Sequence, residues 1–146
     1  MTKLRNSLFM FAIATAISSA VAVPAYAQSS ATSAASFEQK NQAFFKKKYK
    51  IQGSWSLTER NGTHYISFSD DFKTKNGPDL KIFLSPKSAR NVSGKTAVSG
   101  SLNLGVLKSN KGAQEYEIPA GTDLSKYSTV LVHCQAYSVL WGGGSI

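Results

Sequence analysis

The chain has 146 residues, with 17 lysines and arginines against 8 aspartates and glutamates, a formal net charge of +9, and one cysteine. A single cysteine excludes an intramolecular disulfide and a covalent haem of the Cys-x-x-Cys-His type. The charge favours anionic partners such as membrane head groups, cell-wall polymers or acidic proteins, with nucleic acid not expected, and is silent on fold.

Met1 to Ala27 predicts a secretory signal peptide: basic Lys3 and Arg5, an apolar run from Leu8 to Val23, and the small-residue ending Ala25-Tyr26-Ala27. Cleavage is expected before Gln28. A membrane anchor fits less well, because Ser18, Ser19 and Pro24 interrupt the run, so no transmembrane segment is expected after processing. No cysteine follows the leader to take a lipid. The chain is therefore expected to be exported, periplasmic or extracellular. Removing the leader with its two basic residues leaves 119 residues and a net charge of +7, enough for one small domain with one core.

Residues 28–35, QSSATSAA, are small and polar, the composition of a flexible linker. Residues 36–50, SFEQKNQAFFKKKYK, predict a short amphipathic helix. Ser36 is its N-cap with Gln39 as the capping-box partner, and Phe37, Phe44, Phe45 and Tyr49 form its apolar face. The basic end, Lys46, Lys47, Lys48 and Lys50, is either a contact for an anionic surface or a solvated helix terminus.

From Ile51 to Ile146 the pattern changes to short runs separated by glycine, proline and asparagine. SWSLTE and HYISFS flank Asn61-Gly62 and predict a hairpin. LKIFLS, SLNLGVL, QEYEIP, STVLVHC and AYSVLW are further strand candidates. Their spacing predicts an all-β domain, an antiparallel sandwich or barrel-like fold.

Residues with chemical potential are few. His64 and His133 fall on separate predicted strands, and neither forms a metal-ligand motif with Cys134. Neighbours on a strand point to opposite faces, so His133 and Cys134 are not expected to share a ligand. Cys134 suits either a buried small hydrophobe or a partly exposed reactive thiol. Asp70, Asp71, Asn76 and Asp79 bracket a glycine turn that could recruit calcium, but the spacing is not that of an EF-hand and turn chemistry explains it. No nucleophile elbow is present, and nothing indicates an enzyme with turnover chemistry of its own.

Several segments in order resemble the DM-thirteen domain, an extracellular electron-transfer family also found in Skeletor-like animal proteins. They are Asp71-Phe72, Gly77 to Leu80, Leu104 to Lys108, Gly112 to Pro119, and Tyr127 to Cys134. The resemblance implies a β-rich domain whose single cysteine, here Cys134, acts in redox as a free thiol or by holding a prosthetic group such as noncovalent haem, with an unidentified redox partner protein. His133 stands where the family pattern leads one to expect an aromatic residue, and Trp141-Gly142 replaces a Phe-Gly pair. His133 is thereby a candidate second ligand or an exposed strand residue. Tyr137 and Trp141, with Tyr127 and Trp55, are candidates for a cofactor pocket or for core packing.

Overall fold

Asn61 and Gly62 take φ values of 51° and 75°, the left-handed pair that a two-residue hairpin turn requires. They join β3 (Ser54–Arg60) to β4 (Thr63–Phe68) as the predicted hairpin, with Arg60 opposite Thr63 and Trp55 opposite Phe68. The computed structural model describes residues 41–146. The expected signal peptide and linker, and residues 36–40, lie outside the described residues.

Two antiparallel sheets form a sandwich. One has the order β1-β3-β4-β7, with β1 at Gln42–Ala43 and β7 at Gln114–Glu117. The other has the order β2-β9-β8-β5-β6, with β2 at Phe45–Lys46, β5 at Leu80–Ser85, β6 at Leu102–Val106, β8 at Thr129–Cys134 and β9 at Val139–Ser145. A 3-10 turn at Leu124–Lys126, capped by the Asp123 carboxylate, leads into β8. Among the described residues no helix is long and apolar enough to cross a membrane.

The helix predicted over residues 36–50 is not found where the chain is described. Residues 42–46 instead form β1 and β2, one pairing with β3 in the first sheet and the other with β9 in the second. Phe44 turns inward, its ring 5.1 Å from Phe68 and 5.7 Å from Phe72. Phe45 packs instead with the cluster containing Leu131 and Phe83. Adjacent aromatics serving separate clusters are a strand pattern, and pairing at two sheet edges overrides the helical propensity of this glutamine- and lysine-rich stretch.

The main core lies between the sheets and contains Trp55, Ile66, Phe68, Tyr116, Val130, Val132, Cys134 and Trp141. A second cluster, Phe83, Val92, Ala97, Leu131 and Leu140, sits on the other face of the second sheet, beneath the segment that joins β5 to β6. Strand β8 is buried on both faces, and each residue from Thr129 to Cys134 is buried.

The last predicted strand, AYSVLW, begins later and runs further. Gln135 to Ser138 make the turn, Ser138 with φ 51°, and β9 continues through Gly142, Gly143 and Gly144. A methyl group on these glycines would collide with the Phe45 carbonyl, the Val130 carbonyl and the Trp55 indole respectively. Glycine here serves close approach by other groups, the circumstance in which it persists within a strand.

Candidate functional site

Cys134 ends β8 on the face that looks between the sheets and is 3% exposed. The residues around it come from four segments. Strand β9 supplies Val139 and the buried Trp141, the β8–β9 turn supplies Tyr137, and the loop before β5 supplies Asn76, Gly77 and Pro78. Tyr49 closes the remaining side, its ring 4.6 Å from that of Trp141. Together these residues line a depression of about 210 Å³.

Local backbone geometry fixes this arrangement. The Cys134 thiol donates to the Pro78 carbonyl oxygen at 2.8 Å. Asp79, with φ 53°, turns the chain so that its carbonyl accepts from Gln135 N–H at 3.1 Å. The loop is thus tied to both sides of the thiol. Gly77 lies flat against the Trp141 indole, where a methyl group would come within 2.5 Å of the ring. Lys81 Nζ is 3.0 Å from the Asp79 carboxylate and donates to Gln135 Oε1 at 2.7 Å, bracing the same corner from outside.

Of the residues singled out in the sequence, Cys134, Tyr137 and Trp141 come together and His133 does not. His133 points to the opposite face of β8, as strand alternation requires, where its ring meets Phe83 at 5.9 Å in an edge-on contact. It is not the exposed strand residue considered above: it is 1% exposed, and its Nδ1 is buried without a hydrogen-bond partner. Burial pushes the imidazole pKa below its ordinary value, against the opposing influence of the Asp79 carboxylate and the Val139 backbone. Trp55 belongs wholly to the core, and Tyr127 packs at the core margin.

Tyr137 is 70% exposed and stands at the mouth of the depression. Tyr49 and the Gly77-Pro78 backbone are the site residues that sequence reasoning missed. Tyr49 is expected on a helical face, and Gly77-Pro78, although within a family-like segment, offers by its residue types only a turn signal. A larger depression of about 400 Å³ lies across the same loop, lined by Asn76, Asp79, Val106 and Lys108 among others, but the thiol does not border it.

Other candidate constellations do not assemble. His64 lies in the first sheet, 3.5 Å from Glu59 Oε2. Asp71 accepts from Ser69 Oγ and Asp79 pairs with Lys81, so the segment around Gly77 acts as a turn. Among the described residues no three histidine, cysteine or carboxylate groups converge as a metal site. Lys46, Lys47, Lys48 and Lys50 do not share a helical face. Lys46 lies in β2, and the backbone amides of Lys47 and Lys48 bond to the Trp141 and Leu140 carbonyls.

Haem does not fit beside Cys134. Pockets that enclose a drug-sized ligand span roughly 300–1,000 Å³, and haem is larger than most such ligands. The depression is smaller, and Trp141, Tyr49 and the 76–78 loop hold its walls in contact. His133 cannot supply a second axial position from the other face of the strand. What the site does offer is a sulfur in an aromatic wall, close to the surface and covered by one exposed tyrosine.

Neither the search of curated proteins nor that of solved structures returned a match. The family profile described as Electron transfer DM13 matches residues 43–144, which takes in both sheets from the second residue of β1 to the penultimate residue of β9 and so reaches further towards the N-terminus than the domain start expected at Ile51. With well over half of its length matched, and with the expected two-sheet architecture around its one cysteine, the chain belongs to the Electron transfer DM13 family.

Proposed function

We propose that the protein is an exported electron-transfer domain whose redox group is the Cys134 thiol, used free and not as a ligand to haem. One observation carries this reading: the lone thiol borders an aromatic depression at the surface, with its position set by the bond to Pro78 O. A cysteine needed only as core filler has no use for a fixed carbonyl acceptor and an opening beside it.

The chemistry open to one sulfur is exchange with a partner disulfide. The thiol gives up its proton, Sγ bonds to one partner sulfur, and the other leaves as thiolate. The Pro78 carbonyl holds the thiol and the exposed Tyr137 lines the same depression, and in this reading the Tyr137 side chain is the cover that a partner displaces to reach the sulfur. That cover restricts exchange to molecules able to engage the turn.

The test combines thiol titration, exposure to oxidised glutathione and the visible spectrum with added haem, for wild type and Cys134→Ser. The expected result is a slow but complete native-state reaction at Cys134 and no haem spectrum. A thiol that reacts only after unfolding would overturn the reading, as would electron exchange retained by Cys134→Ser. Export is tested separately by sequencing the N-terminus of protein recovered outside the cytoplasm, expected to begin at Gln28.

A further inference from the structure

Lys50, Lys73 and Lys75 line a single groove of about 230 Å³ with Gln52 and Thr74. Two backbone bonds and one from a side-chain hydroxyl dictate the convergence. Gln52 N–H donates to Lys73 O at 2.8 Å, Lys73 N–H donates to Gln52 O at 3.3 Å, and Thr74 Oγ1 donates to Lys50 O at 3.3 Å. A bridge between Lys73 and Lys111 brings a fourth lysine alongside. Ile51 and Thr74 are buried, so alternation along each segment turns the flanking lysines outward.

These four lysines have no carboxylate partner among the described residues, whose ion pairs are Arg60–Glu115, His64–Glu59, Lys81–Asp79 and Lys126–Asp123. Asp71, the acid nearest to Lys73 along the chain, is engaged by Ser69 Oγ at 2.5 Å. Like charges on paired neighbouring segments are destabilising, and an anion lying in the groove would relieve that repulsion. The groove also adjoins the cysteine site through consecutive residues: Lys50 and Lys75 line the groove, while Tyr49 and Asn76 line the depression beside Cys134. Lys75 Nζ lies 5.4 Å from the centre of the Tyr49 ring, which in turn packs on Trp141.

We infer that the Lys50–Lys73–Lys75 groove, with Lys111 at its rim, docks an acidic surface of a partner protein and holds it against the Tyr49–Trp141–Cys134 site. Flexible lysines without an arginine fork suit a field that steers and orients a protein surface more than a cage for one small anion. The partner's redox character rests on the function proposed above; the groove's preference for carboxylates does not.

Isotope-labelled protein titrated with a polyglutamate peptide at low salt tests this, with inorganic phosphate and phosphatidylglycerol vesicles as parallel arms. Amide shifts are expected around Lys50, Lys73, Lys75 and Lys111. The double variant Lys73→Glu/Lys75→Glu should bind the peptide at least about tenfold more weakly, an effect of ~1.4 kcal/mol. The milder Lys73→Gln/Lys75→Gln pair should lie between, while Lys95→Glu should match wild type. Raised salt should weaken binding. Peptide shifts that map elsewhere, phosphate binding more tightly than the peptide, or binding to vesicles without binding to the peptide would each overturn the inference. Cys134→Ser should bind the peptide as wild type does, so a failed thiol assay and a failed docking assay are told apart.

Discussion

The Cys134 thiol and the Pro78 carbonyl oxygen meet at 2.8 Å, joining the end of β8 to a loop 56 residues earlier in the chain. This contact and the Tyr137 cover predict restricted access. Native protein should react with a thiol reagent at least about tenfold more slowly than unfolded protein, since reaction requires local opening. Tyr137→Ala should recover much of that difference without changing the melting temperature. Equal rates for native and unfolded wild type would contradict the buried placement.

Gly144→Ala should be among the most damaging small substitutions in the chain. The added methyl group meets the fully buried Trp55 indole, and overpacking of this kind costs about 1–3 kcal/mol or more. Chemical denaturation followed by tryptophan fluorescence measures both the loss and the disturbed indole. Gly142→Ala, directed at the Phe45 carbonyl, should also destabilise. Unchanged stability in both would refute the proposed close approach.

His133 predicts acid sensitivity. Its folded-state pKa lies below the ordinary histidine value, so the folded protein resists a proton that the unfolded chain accepts. Its contribution is intact above about pH 6.5 and is lost as pH falls from there through the folded pKa. The Asp79 carboxylate, itself paired with Lys81, and the Val139 backbone offset part of the loss. His133→Phe should flatten this part of the stability profile and, by removing the unpaired Nδ1, raise stability by ~1 kcal/mol. Urea melts between pH 5 and 8 provide the measurement; identical slopes for the two proteins would rule out the assignment.

Tyr116 predicts the opposite limb. Burial pushes its phenol up to about 12, although the Lys108 backbone N–H that donates to the hydroxyl at 3.0 Å pulls the other way. Between about pH 10 and that value the unfolded chain loses a proton that the folded chain keeps, so stability falls as pH rises. Tyr116→Phe should abolish this loss. At neutral pH it should cost about 1–3 kcal/mol by leaving the Lys108 amide without its acceptor and removing one of the two hydrogen bonds to Gln114 Oε1, which keeps the one from Ser109 N–H. Ultraviolet titration of wild type should show a late ionisation that is missing from Tyr116→Phe.

Strand content was legible wherever apolar alternation met a turn signal. LKIFLS coincides with β5, and the Asn61-Gly62 hairpin falls where its residues place it. Alternation also separated His133 from Cys134 correctly. The sequence misled where long-range pairing overruled local preference. Residues 42–46 have helical composition but fill two sheet edges, and the three glycines beyond the predicted AYSVLW strand continue it as a buried strand where Phe45, Val130 and Trp55 crowd them. The burial of His133 was equally hidden, since the segment covering it carries no regular pattern. Tyr49 and the lysine groove depend on which distant segments meet, and no local pattern encodes that.

Strands β1 and β2 are two residues each, yet they occupy the outermost position in each sheet beside β3 and β9. A bare strand edge is a template for pairing with another molecule. One short stretch of chain, pinned by Phe44 in the core, therefore shields two such templates at once. Its detachment would expose both together, making solubility depend on a five-residue clasp more than on the size of the core.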